Sequence, residues 1–199
     1  MSDSKPNIEF SPTIFHDPVA EQTEWKRLIN GGANFRTHRL VLQSNNTIHF
    51  KLSIQFLIIA FFVVSIFIIP SFIMLLAGPM QILLVAPFLL LAAWFLYYIL
   101  KPIVFDLERS VFYRGWLKKN EPHEIQDIPS CNLDEIYALQ IISEYTYHSV
   151  GNFTCYEMNI IKKDASRINV LAHSNGKTIR KGTEVLGQKL GVPVWDATL

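Results

Sequence analysis

The sequence predicts an α+β membrane protein: a two-helix transmembrane hairpin joined to antiparallel strands, with one C-terminal amphipathic helix closing the strands. Three observations carry this prediction. Leu52 to Leu100 is a run of 49 residues without a charge. Short segments on either side alternate apolar and polar residues, the period of two of half-buried strands. Near the end the period becomes helical, with Ile179, Thr183, Leu186 and Leu190 recurring three or four residues apart.

The uncharged run is too long for one bilayer crossing, which takes about 20 residues, and it suits two. Ala77-Gly78-Pro79-Met80 is the break, which places helices over Ser53 to Leu76 and Gln81 to Leu100. Pro70 and Pro87 lie inside them, where each removes an amide donor and is expected to kink its helix. The polar residues of the spans are Ser65 and Ser71, with Gln55 and Gln81 near the ends, so no ionisable group at depth marks an ion or proton path. Arg36, Arg39 and Lys51 precede the hairpin, and Lys101, Arg109, Arg114, Lys118 and Lys119 follow it. The connecting turn has no basic residue, so both termini are expected in the cytoplasm. Trp94, Tyr97 and Tyr98 fall near Lys101, at the depth amphipathic rings prefer.

Residues 1–24 hold Pro6, Pro12 and Pro18 among polar residues and are expected to form a flexible N-terminal arm, with Phe10, Ile14 and Phe15 available for docking. Met1-Ser-Asp-Ser-Lys-Pro lacks the apolar run of a secretory signal, so the first helix is expected to direct insertion. Residues 25–51 are expected to form a cytoplasmic β-hairpin, with runs Phe35 to Gln43 and Thr47 to Ser53 turning at Ser44-Asn45-Asn46. Residues 52–100 are the membrane hairpin and 101–199 a cytoplasmic domain.

That last domain opens with Ile103-Val104-Phe105-Asp106-Leu107, a turn at Glu108-Arg109-Ser110, and Val111 to Trp116, a hairpin by spacing. Ile136 to Tyr147, Phe153 to Lys162 and Arg167 to Ala172 are further strands. Ser174 or Asn175 caps the closing helix, Gly191 ends it and Pro193 prevents continuation. Val192, Val194 and Trp195 are expected to pack back. Cys131 and Cys155 are expected to stay reduced. With a net charge of +1 and no basic run interleaved with aromatics, the chain gives no case for nucleic acid.

Meandering strands finished by one helix make a pleckstrin-homology-like (PH-like) antiparallel β half-barrel. The membrane hairpin, the Phe105-Asp106-Leu107-Glu108-Arg109 turn, the Val111-Phe112-Tyr113-Arg114-Gly115-Trp116 strand and the closing Leu186-Gly187-Gln188-Lys189-Leu190-Gly191-Val192-Pro193-Val194 follow in an order that resembles the photosystem I assembly protein family of chloroplasts and cyanobacteria. The chain is similar, more loosely, to bacterial membrane proteins with PH-like domains. The resemblance covers residues 52–195, and Trp25 to Lys51 is an addition to that plan. It implies a non-enzymatic membrane protein that helps assemble or stabilise a membrane complex, and the chain is expected to be an assembly factor or accessory subunit in the bacterial inner membrane.

The polar cluster to weigh is His173-Ser174-Asn175-Gly176-Lys177, with Arg180 and Lys181 one turn on. Amides and cations there suit a phosphate or an anionic lipid headgroup, which makes a headgroup sensor the alternative function. The plain account is an N-cap and a solvated helix face. Arg36, His38, Lys118 and Lys119 are the membrane-proximal residues that can add attraction to anionic lipid. Gly31-Gly32 with Asn34, Arg36 and His38 lacks the setting of a phosphate loop and reads as a turn feeding a strand. No spacing of His16, His38, His49, His123, His148 and His173 with the two cysteines suits zinc. Asp134-Glu135 and Ser143-Glu144 form no catalytic pairing, so no catalytic residue, metal or cofactor is expected. Self-association into a homo-oligomer through the hairpin is a third reading.

Overall fold

The computed structural model describes residues 10–29, 32–43, 46–76, 78, 82–116, 128–146 and 152–198. In chain order its elements are α1 (Pro18–Gln22), β1 (His38–Gln43), β2 (Thr47–Leu52), α2 (Ile54–Leu76), α3 (Ile82–Ile99), β3 (Ile103–Asp106), β4 (Val111–Arg114), β5 (Ser130–Asn132), β6 (Ile136–Thr146), β7 (Phe153–Lys162), β8 (Arg167–His173), α4 (Gly176–Leu190) and β9 (Val194–Asp196). They form two compact units, one of Met1–Asn34 with Asn132–Leu199, the other of Phe35–Cys131.

In the unit Phe35–Cys131 the strand order is β1-β2-β3-β4-β5. β1 and β2 pair from His38 opposite Leu52 to Gln43 opposite Thr47, and Asn46 takes the left-handed conformation at their turn. The next strand in the sheet is β3, antiparallel to β2, with Thr47 opposite Asp106 and His49 opposite Val104. The two apolar helices are therefore an insertion between neighbouring strands, and the chain leaves and re-enters the sheet at the same end. Ser53 marks the exit: its Oγ accepts from the Phe56 amide at 3.1 Å and donates to the Arg36 carbonyl, capping α2. At the β3-β4 turn Asp106 Oδ1 accepts from the amides of Glu108 and Arg109 at 3.1 and 2.9 Å. Phe105 and Phe112, both fully buried with ring centroids 4.6 Å apart, anchor the core between these strands. Burying such a side chain contributes about 1.5–3 kcal/mol.

Two helices, α2 and α3, are long and apolar enough to cross a membrane. At 1.5 Å per residue they span about 35 and 27 Å. They pack on each other, and their buried positions are small or short: Ala60, Val64 and Ser71 on α2, Val85 and Ala92 on α3. The rest of their surface is apolar and open, with Phe61 68% and Leu83 80% exposed. A helix apolar all round needs an apolar solvent or a protein interior, and most of this surface has no protein over it. Ser65 and Ser71 donate to the carbonyls of Phe61 and Phe67 at 2.7 and 2.6 Å, so neither hydroxyl is left unbonded among the apolar side chains. Both helices continue through Pro70 and Pro87.

In the other unit the order is β8-β7-β6-β9, antiparallel except for β9, which runs parallel to β6 with Val194 opposite Leu139. α4 packs on β6, β7 and β9. Its cap is Asn175, whose Oδ1 accepts from the Thr178 amide at 3.0 Å, and left-handed Gly191 at φ 67° ends it. Ile179, Thr183 and Leu186 face inward, and a Cβ on Gly187 would stand 2.6 Å from Val194, so only glycine lets β9 close against the helix there.

Side chains alternate across a strand, so Cys155, Glu157, Asn159 and Ile161 point away from α4. The N-terminal segment covers them. Ala20, Ala138, Ile161 and Trp195 form a buried cluster with Phe15, Val19, Trp25 and Tyr137 packed on it. Phe15 stacks on Trp25 at 5.2 Å and on Trp195 at 5.8 Å. Asp17 caps α1 and accepts from the Tyr137 hydroxyl at 2.8 Å.

Two expectations are corrected by these contacts. The arm expected to be flexible over residues 1–24 is pinned from Phe10 onward, because its aromatic rings bury enough apolar area to offset the entropy of ordering it; residues 1–9 lie outside the described residues. The expected grouping of 101–199 as one domain is replaced by strands shared differently: β3 and β4 join β1 and β2 in the five-stranded sheet. The physical reason is local, since a chain returning from the hairpin at the end of β2 meets an unpaired row of backbone groups.

Candidate functional site

The residues expected around the start of α4 are brought together, but most are engaged internally. His173 is buried, and its Nδ1 accepts from the Asn175 amide at 3.1 Å. Asn175 is the cap, and the Ser174 amide donates to the Ala33 carbonyl at 2.9 Å. Arg180 binds Asp196 at 2.9 Å and the Thr198 carbonyl at 3.0 Å, with its guanidinium 5.4 Å from the Tyr156 ring centroid. Lys177 and Lys181 remain exposed. A single carboxylate beside Arg180 thus uses the cation that most suits a phosphate.

The same unit holds a buried polar network that the sequence did not disclose. The Glu157 carboxylate accepts from the amides of Leu28 and Ile29 at 2.9 and 3.2 Å and from Asn159 Nδ2 at 2.8 Å. Asn159 also donates to Gln140, and Gln140 donates to the Glu24 carbonyl at 3.0 Å. Arg167 reaches Glu24 and the Lys26 carbonyl. The bonds of Glu157, Gln140 and Arg167 to residues 24–29 tie the strands to the N-terminal segment, and Asn159 links Glu157 to Gln140 within the sheet, which makes the network a clamp. Beside it Gly32 sits at φ 137°, where a Cβ would come within 2.2 Å of Cys155 Sγ. Burial pushes the Cys155 thiol up, with nearby Arg27 acting against it, so the thiol stays protonated and weakly nucleophilic.

In the unit Phe35–Cys131, an open cleft of about 350 Å³ lies at the foot of the two helices. Basic and imidazole groups line it: His38, Arg39, His49, Lys51 and Lys101. Leu57 and Leu100, from the ends of the helices, add apolar lining. Lys101 Nζ stands 4.9 Å from the Tyr98 ring centroid. Burial and the Lys51 charge push the His49 imidazole down, with Asp106 pulling the other way.

Of the membrane-proximal residues expected from sequence, His38 lines this cleft, with Nδ1 2.9 Å from Thr37 Oγ1. Arg36 lies two residues before it in the chain, with its carbonyl accepting from the Ser53 hydroxyl. Lys118 and Lys119 lie outside the described residues. In the sequence Arg39, Lys51 and Lys101 serve only as orientation charges; Lys51 and Lys101 stand at the two ends of the uncharged run, a signal that they converge, and Arg39 joins them through its register opposite Lys51. Comparison with family models, with curated proteins and with solved structures finds no match to this chain.

Proposed function

We propose that this chain is a non-enzymatic binding protein of the bacterial inner membrane, an assembly factor or accessory subunit of a membrane protein complex, with both termini in the cytoplasm. The observation that carries it is the insertion of two apolar helices between neighbouring strands, which ties a sheet to the end of a hairpin whose outer faces are open. Packing between α2 and α3 uses only a narrow stripe of each, and the remaining apolar surface suits lipid or the helices of a partner. A second support is the edge of the five-stranded sheet: β1 ends it, and Leu42 on that edge is 51% exposed. Such an edge suits strand addition by a partner. Basic residues on both flanks of the hairpin support the cytoplasmic placement of the termini.

The test is purification of the tagged protein from its native membranes in mild detergent, followed by native mass spectrometry. A protein partner in fixed ratio, lost on Leu42→Lys or on substitution of an outer helix face, is the expected result. Recovery of the chain alone, or as a homo-oligomer only, overturns the reading.

A further inference from the structure

The cleft at the foot of the helices has no part in the binding role above, and its construction asks for an anion. Pairing of β2 with β3 ends at His49 opposite Val104. Beyond it Phe50, Lys51 and Leu52 run on toward α2, while Leu100, Lys101 and Pro102 arrive from α3, so the strands fork and the cleft is the opening of that fork. Across β1 and β2, Arg39 stands directly opposite Lys51. Like charges at that spacing repel. No carboxylate is among the described residues that line the cleft, and a third cation, Lys101, enters from the other branch. Arg39 and Lys51 are exposed and Lys101 lies over the Tyr98 ring, so three cations line one opening that water or an anion can enter.

We propose that this cleft binds a phosphate group, carried by the headgroup of an anionic phospholipid, with Arg39, Lys51 and Lys101 as its cations. The source is argued from position. The cleft opens where both apolar helices end, Leu57 and Leu100 give it an apolar side next to the polar one, and Trp94, Tyr97 and Tyr98 on the last turns of α3 are exposed at the same end. Aromatic rings of this kind favour headgroup depth. Cationic head and apolar flank in one opening match a lipid better than a free ion. The inference rests on the membrane placement proposed above, and not on the partner complex.

The experiment uses the full chain in detergent, with dioleoylphosphatidylglycerol, dioleoylphosphatidylcholine and inorganic phosphate as probes, read by native mass spectrometry and thermal unfolding. One phosphatidylglycerol should be retained in preference to phosphatidylcholine. The double variant Arg39→Gln, Lys51→Gln should weaken that retention roughly 30-fold, which corresponds to about 2 kcal/mol. Its melting temperature without lipid should equal or exceed that of the parent, since a repulsive pair is gone. Lys101→Gln, on the other branch of the fork, should weaken retention as well, whereas Lys177→Gln, Lys181→Gln should not. Equal retention of the two lipids, or unchanged retention in both cleft variants, overturns the proposal. Equal stabilisation by inorganic phosphate overturns the lipid as the source. A failure of the membrane placement shows separately, as release of the chain by alkaline carbonate.

Discussion

Arg27 Nε lies 3.6 Å from Glu157 Oε2, and the two side chains are 5% and 0% exposed. The carboxylate stands in a central strand of the four-stranded sheet, and the guanidinium belongs to a segment 130 residues earlier in the chain. With the Leu28 and Ile29 amides also on that carboxylate, the N-terminal segment is bound to the sheet by a buried charge. Removing the carboxylate takes the acceptor from the Leu28 and Ile29 amides and the buried partner from Arg27, which keeps Glu144 at 3.6 Å; breaking such a buried pair costs about 3–5 kcal/mol. Glu157→Ala should therefore lower the unfolding free energy by about that amount, and Glu157→Gln, which keeps one acceptor oxygen, by less. Denaturant unfolding followed by tryptophan fluorescence measures both.

Trp25 joins the polar clamp to the apolar one. Its ring contacts Phe10, Phe15 and Trp195, and its indole donates to the Ala20 carbonyl at 2.9 Å. Trp25→Ala should cost about 3–5 kcal/mol and open the segment. Limited trypsin digestion should then cut at Lys26 and Arg27 at concentrations that leave the parent intact. Equal resistance of the two proteins would contradict the packing role.

The hairpin and α4 were legible because their signals are local. An uncharged run cannot be hidden, and a cap such as Asn175 or Gly191 acts within one turn. The β1-β2 hairpin was legible for the same reason. The pairing of β2 with β3 was not, because its register joins residues on either side of the whole helical hairpin and no residue near Thr47 names Asp106 as its neighbour. Glu157 was hidden differently: in Tyr156-Glu157-Met158-Asn159 it looks like the solvent side of an alternating strand, and only the arrival of Arg27, Leu28 and Ile29 turns that face into an interior. At the expected 173–181 site, the residue types were right for a phosphate, but Asp196 and Thr198, which take up Arg180, come from beyond the helix.

Ile66 lies near the middle of α2 and is 68% exposed. If that surface faces lipid, Ile66→Arg places a charge at the bilayer centre, at a cost of about 2.5–3.5 kcal/mol for insertion. Membrane fractions of cells expressing the parent should hold the chain through alkaline carbonate extraction, and the variant should be reduced in them. The parent appearing in the carbonate supernatant would remove lipid as the solvent of these helices.

His49 couples the cleft to pH. Its imidazole is pushed below its ordinary value of about 6.5 first by burial and then by Lys51, against the pull of Asp106. A group whose folded value is depressed binds fewer protons in the native state than in the unfolded one. Stability from this source is therefore present above about pH 6.5 and is lost as pH falls toward the folded value. Melting temperature of the lipid-free protein should fall from pH 7.5 to pH 5.5, and His49→Gln should flatten that part of the profile. An anion in the cleft offsets the Lys51 charge and lets the imidazole keep its proton. Phosphatidylglycerol should then shrink the His49-dependent slope in the parent and leave the Arg39→Gln, Lys51→Gln profile unaltered, a difference that no purely structural role of His49 would produce.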